Sequence, residues 1–140
     1  MLEGAIRVIT LGLVKNAQGS YLFDTMTDPK KGLSFLRPIG GGVDFGEDSR
    51  SAIAREFKEE IKATVLDSKL LTVFENIFEY DGKQGHEVVF LYELTIQEEE
   101  LLRSEVINIC EGSEKRTAKW YDLDSLQEAT ILPNQIKSYL

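Results

Sequence analysis

Four residues within six positions carry the chemistry this sequence offers: Arg55, Glu56, Glu59 and Glu60. Residues three and four apart on a helix share a face, so Glu56, Glu59 and Glu60 project together as one carboxylate cluster. Like charges at that spacing repel by roughly a few tenths of a kcal/mol per pair. A chain gains little structurally by concentrating them unless a cation neutralises them. Carboxylate oxygens are hard ligands and suit Mg²⁺ or Mn²⁺ better than zinc. The expectation is a divalent-metal site built on a helix.

The elements around that helix must hold it in place. Asp48 or Ser49 can cap its start. Ala52, Ile53, Phe57 and Ile61 recur at helical spacing and form its buried stripe, leaving the carboxylates on another arc facing a cleft. Before it, Ile39 to Glu47 holds four glycines and reads as a turn that lets backbone approach a ligand. Ala5 to Val14 is nearly continuously apolar and β-branched, which suits a strand buried on both faces. Asn16 to Ser20 is a turn, and Tyr21 to Phe23 a short returning strand. Thr27 to Gly32 is a polar loop with its lysines in solvent, and Leu33 to Leu36 a strand stopped by Pro38.

After the helix, Lys69 to Tyr80 and His86 to Thr95 read as a hairpin across an Asp81 to Gly85 turn. Phe74, Asn76, Phe78 and Tyr80 share one face of the first strand. Gln97 to Ser104 is a short helix or a loop, and Glu98 to Glu100 a solvated acidic face. Glu105 to Cys110 is a weaker strand, Glu111 to Glu114 a turn, and Arg116 to Tyr121 a last strand. Asp122 to Glu128 is a short capped helix, and Pro133 opens a final helix to Leu140. Aromatics that alternate on strands, Tyr92 among them, are read as core or dimer interface before base-stacking surface, and Trp120 as core. Cys110, in an apolar run, reads as a buried inert thiol. Strands that precede, flank and follow helices without a strict βαβ rhythm indicate an α/β (α+β) arrangement, a mixed sheet sandwiched between helices.

The chain has 140 residues, 42% hydrophobic and 29% charged, the profile of one soluble domain over residues 1–140. Its formal net charge of -8 argues against a partner such as duplex nucleic acid or an anionic membrane, which needs a basic face. A phosphate substrate stays compatible, since bound metal inverts local charge. The single Cys110 precludes an internal disulfide, and a reducing interior is the default. No charged-then-apolar leader opens the chain and no apolar run approaches the ~20 residues of a membrane span. The expected location is cytoplasmic.

The helix and its glycine-rich approach resemble the Nudix (MutT-like) hydrolase family. The family's box runs Gly, five residues, Glu, seven residues, Arg-Glu, an aliphatic or aromatic residue, any residue, Glu-Glu, any residue, Gly, then an aliphatic residue. Gly41, Glu47, Arg55, Glu56, Phe57, Glu59 and Glu60 fall on it in register. Six fixed identities match by chance on the order of 10⁻⁷ per window at average residue usage. The run Leu36-Arg37-Pro38-Ile39-Gly40 also looks like the approach to the box in family members. The box's second glycine is Lys62 here, where a left-handed helix exit would cost a lysine about 1 kcal/mol. The geometry after Glu60 is therefore the point of departure.

The resemblance implies a Nudix-type α/β/α sandwich around a central mixed sheet. It implies hydrolysis of a nucleoside diphosphate linked to another moiety (an NDP-sugar, a dinucleoside polyphosphate or a (d)NTP), with Mg²⁺ or Mn²⁺. Glu56, Glu59 and Glu60 then hold the metal, with the Gly40 or Gly41 carbonyl as a further ligand and Glu47 as an accessory ligand or a partner that supports the ligands from behind. Arg55 orients a carboxylate, and Glu59 or Glu56 serves as general base. His86 and Glu87 are alternative bases, opening a strand after the Asp81 to Gly85 turn. Arg37 either meets a substrate phosphate or forms a surface salt bridge, and backbone at Gly40 and Gly42 meets the substrate. A homodimer through the long hairpin is compatible with the sequence. A second reading keeps the fold without turnover, as a sensor of a nucleotide or ADP-ribose-type ligand. Three retained carboxylates weigh against it.

Overall fold

Two four-stranded sheets carry the fold of the computed structural model, which describes residues 4–112 and 114–140. Ser113, inside the turn expected at Glu111 to Glu114, lies outside the described residues. In chain order the elements are β1 (Ile6–Val14), β2 (Tyr21–Thr27), β3 (Ser34–Arg37), β4 (Ile39–Gly42), α1 (Ser49–Ile61), β5 (Val65–Tyr80), β6 (Lys83–Ile96), α2 (Glu99–Arg103), β7 (Val106–Glu111), β8 (Glu114–Tyr121) and α3 (Leu123–Glu128), then a 3₁₀ helix at Asn134–Tyr139. One sheet runs β4-β1-β6-β5 and is mixed, because β1 and β6 are parallel. The other runs β3-β2-β8-β7 and is antiparallel. None of the described helices is long and apolar enough to cross a membrane.

The apolar run of β1 is buried on both faces from Ile9 to Val14, whereas Ile6 and Val8 at its start are exposed. Ile9, Leu11 and Leu13 join Val89, Leu91, Leu126 and Ile136 in one cluster. Val14 joins Ile53, Phe57, Leu94 and Ile109 in the other, under α1. The stripe Ala52, Ile53, Phe57 and Ile61 is fully covered, and the Asp48 carboxylate caps α1 by accepting the Ser51 N–H at 2.7 Å. At its far end Lys62 takes the left-handed conformation (φ 60°, ψ 28°). Its N–H donates to the Lys58 carbonyl and the Ala63 N–H to the Phe57 carbonyl, both at 3.2 Å, so the helix closes where a glycine would close it, with a lysine in place. The Glu98 side chain then accepts the Thr64 N–H at 2.7 Å, so that residue ties down the exit of α1 instead of standing in a solvated acidic face.

Four further expectations change. Ile39–Gly42 is a strand, β4, and not part of a turn: it pairs with Ile9–Gly12 of β1, and the turn follows at Val43–Glu47. Gly40 permits this pairing, since a Cβ there would lie 1.9 Å from the Thr10 carbonyl oxygen. The β5–β6 turn is the two residues Asp81 and Gly82, with φ of 54° and 73°, matching a turn in which both central residues take positive φ. The C-terminal segment is a 3₁₀ helix that begins after Pro133. Cys110 is exposed, because Ile107 and Ile109 take the inward positions of β7 and the alternation turns Cys110 outward.

Gly40→Ala is expected to destabilise the protein by about 2 kcal/mol or more, because backbone and not a flexible side chain must yield. Denaturant melts against wild type measure it, and an unchanged midpoint would count against the β1–β4 register.

Candidate active site

Helix α1 delivers its three carboxylates to different depths. Glu60 is buried, Glu56 is largely covered and the Glu59 side chain is 58% exposed. The cause is helical phase: Glu60 follows Phe57 by three positions and turns partly inward with the apolar stripe.

Arg55 gathers the outer group. Its guanidinium grips Glu47 with two bonds, Nε to Oε2 at 2.8 Å and Nη2 to Oε1 at 2.9 Å. Nη1 donates to Glu56 at 3.1 Å and to Glu59 at 3.3 Å, and Nη2 donates to the Gly42 carbonyl at 3.0 Å. These bonds hold the Glu47 pKa below the ordinary carboxylate value, and Glu47 foremost raises that of Arg55. Gly41 lies directly behind Glu56, where a Cβ would come within 2.5 Å of the Glu56 carboxylate. The backbone of β4 therefore forms one wall of the carboxylate site.

Glu60 enters an inner group that the sequence did not announce. Arg116 of β8 donates to Asp24 of β2 at 2.9 Å and to Glu111 of β7 at 2.7 Å, and its Nη2 lies 3.9 Å from Glu60. Burial pushes the Glu60 pKa up to about 8, reinforced by the charges of Glu56 and Glu111 and by a hydrogen bond with Glu111, against the pull of Arg116. Burial likewise raises Glu56 and Asp24. Burial works against the Arg116 charge, but Glu111, Asp24 and Glu60 outweigh it and raise its pKa. Nothing in the local sequence marks Asp24, Glu111 or Arg116; only the pairing of β2 with β8 and β8 with β7 brings them under α1.

These groups fit a hard divalent cation. The donors are carboxylate oxygens, two of the three helix glutamates are forced toward protonation by burial, and Asp24 Oδ1 is buried without a hydrogen-bond partner. A proton or a cation would satisfy each of these acceptors. Among the described residues no three side chains already stand in a metal-ligating arrangement.

On the other face of the mixed sheet lies a cavity of about 330 Å³. Arg7, Lys31 and Arg37 bring positive charge to it, while Phe35, Phe78 and Tyr80 give it aromatic walls. Arg37 pairs with the buried Glu87 at 3.8 Å. Arg7 also reaches β4, because its Nη2 lies 3.0 Å from where a Cβ of Gly42 would stand. Lys31, read as solvated, lines the cavity, and Phe78 and Tyr80 line it too. Tyr92 does not: it is buried, and its hydroxyl is 2.7 Å from the Ser49 hydroxyl. Gly40 backs onto β1, and His86 points to the opposite face of β6 from Glu87, between Ile6 and Ile77 in register. Arg7 was missed because one cation at the start of an apolar strand reads as a solvated end.

The chain matches the family model described as NUDIX domain over residues 6–140. Among solved structures, it is similar to a MutT NUDIX hydrolase from Burkholderia pseudomallei (22% identity, 95% of each chain covered, TM-score 0.68). It is also similar to a MutT protein from Methanosarcina mazei Go1 (18% identity, 99% of this chain and 93% of that one, TM-score 0.61). A third is a NUDIX hydrolase from Nitrosomonas europaea (16% identity, 96% and 86% covered, TM-score 0.65). At such identities the likeness is one of fold. No curated protein matches the chain.

Proposed function

We propose that this chain, which belongs to the Nudix family and is a pyrophosphohydrolase, cleaves the pyrophosphate of a nucleoside diphosphate linked to another moiety, with Mg²⁺ or Mn²⁺. The observation that carries this reading is the pair of covered carboxylates, Glu56 and Glu60, pushed toward protonation by burial beside the glycine backbone of β4. Glu56, Glu59 and Glu60, with Glu47 and the Gly41 carbonyl, would hold the metal; Glu111 and Asp24 add carboxylates that the box does not contain. When bound, the metal neutralises phosphate charge and acidifies a water molecule.

The chain's own groups divide the remaining work. Arg55 fixes the rotamers of Glu47, Glu56 and Glu59 at once, so the outer carboxylates are preorganised. Glu59 is the most exposed of the three helix glutamates, and it is assigned the proton of the attacking water. Glu87 is less suited to that role because it is buried against Arg37 on the cavity face of the sheet, turned away from α1. Arg37 and Arg7 would meet phosphate oxygens, Arg37 by exchanging part of its contact with Glu87; their place in the cavity lining supports this. The cavity takes the part of the substrate beyond the phosphates, with Phe35, Phe78 and Tyr80 as apolar surfaces. A cytoplasmic setting supplies such substrates and suits a chain with one cysteine.

A panel of NDP-sugars, dinucleoside polyphosphates, ADP-ribose, NADH and (d)NTPs, assayed with and without Mg²⁺, tests this reading. Phosphate-containing products are expected from at least one class and only with metal. Ligand binding without turnover of any member would replace the reading with a sensor.

A further inference from the structure

The loop between β2 and β3 is anchored to the β5–β6 hairpin at its base. Pro29 through Leu33 are exposed, whereas Asp28 at the base of the loop is buried. Its Oδ1 accepts the N–H of Lys30 at 2.9 Å and that of Lys31 at 3.3 Å, the local turn any Asp can make. It also accepts the N–H of Asp81 at 3.1 Å, from the tip of the β5–β6 hairpin 53 residues away. Beside it the Tyr80 hydroxyl donates to the Thr27 carbonyl at 3.1 Å, and the rings of Tyr80 and Phe35 meet edge to face with centroids 6.3 Å apart. The loop brings Lys31 and Leu33 to the cavity, and the hairpin brings Phe78, Glu79 and Tyr80. One buried carboxylate thus joins two walls that are otherwise remote in sequence.

We propose that Asp28 is a positioning residue whose carboxylate clamps the β2–β3 loop to the hairpin tip and so sets the mouth of the cavity that receives the non-phosphate part of the substrate. The kinetic side of this inference rests on the pyrophosphohydrolase reading above; the mechanical side does not. One side-chain oxygen shared by three N–H groups links the loop to the hairpin tip, beside the Tyr80–Thr27 bond. Opening the mouth loosens substrate without moving Glu56, Glu59 or Glu60, which lie on α1.

The test joins hydrogen exchange with kinetics on Asp28→Ala and Asp28→Asn. In Asp28→Ala, exchange at the Asp81 amide is expected to accelerate at least about tenfold together with the Lys30 and Lys31 amides, while Val89 and Leu91 stay protected. On whichever panel substrate the wild type turns over, KM is expected to rise about tenfold with kcat within about threefold. Asp28→Asn keeps an Oδ1 acceptor and is expected to restore both to within about threefold of wild type. Exchange that accelerates only at Lys30 and Lys31, or a loss of kcat at constant KM, overturns the proposal. If the wild type turns over nothing, the functional reading fails, and the Asp81 exchange alone decides whether the clamp exists.

Discussion

Glu59→Gln and Glu60→Gln are each expected to lower kcat/KM at least about 100-fold with Mg²⁺ present. Both replacements keep shape and an acceptor oxygen and remove one negative charge. The loss should arise differently at the two positions. Glu60 lies deep, beside Glu111, and the cation near it, Arg116 at 3.9 Å, is already bonded to Asp24 and Glu111, so its charge is left for a bound metal to neutralise. Its variant should need more metal, and raising Mg²⁺ should recover part of the rate. Glu59 is outermost and touches Arg55 at 3.3 Å. If it takes the proton from water, excess Mg²⁺ leaves the Glu59→Gln defect in place and the acid limb of the kcat profile changes. Initial rates across a Mg²⁺ titration measure both. Activity within about threefold of wild type in either variant would remove that residue from the machinery.

The helix was legible in the sequence because its information is local. Capping by Asp48, the apolar stripe and the spacing of Arg55 to Glu60 all follow from 3.6-residue periodicity, and the structure keeps the cap and the stripe. What escaped depends on partners far along the chain. Gly40 to Gly42 reads as a turn because glycine disfavours strands, yet only glycine lets β4 approach the Thr10 carbonyl. Glu60 reads as a cleft residue because its own helix cannot reveal Asp24, Glu111 and Arg116, which two strand pairings supply. The separation of the strands into two sheets is likewise a matter of pairing, which alternation within a strand does not encode. Lys62 shows the reverse case: the pattern broke at a glycine, but the backbone adopted the left-handed exit regardless, the few hydrogen bonds of the helix end outweighing the local cost.

Without metal, the protein is expected to lose stability as pH rises from about 5 to 8. The Glu60 carboxyl, at about 8 folded against 4.5 as an ordinary glutamate, binds its proton more tightly in the folded state. Its contribution is therefore fully present below pH 4.5 and lost as pH rises through about 8. At about 1.4 kcal/mol per pH unit across that window, the loss is a few kcal/mol. Glu56 and Asp24, raised chiefly by burial, act with the same sign. Glu47 and Asp48, lowered by hydrogen bonds from Arg55 and from the Ser51 amide, act with the opposite sign, but only in acid, where stability falls as they protonate. Thermal melts in a chelator at pH 5, 6.5 and 8 should thus fall along the series. Mg²⁺ or Mn²⁺ takes the place of the proton at the carboxylates, so its stabilisation should grow with pH, to about 2.7 kcal/mol at a hundredfold excess over Kd. Glu60→Gln carries no charge to desolvate. It should flatten the pH dependence, melt above wild type at pH 8 in chelator, and respond less to metal. The same substitution that removes activity would then stabilise the metal-free fold, which is the signature of a carboxylate buried for a cation's sake. A melting temperature that rises from pH 5 to 8 in chelator would reverse the sign and remove Glu60 as the source.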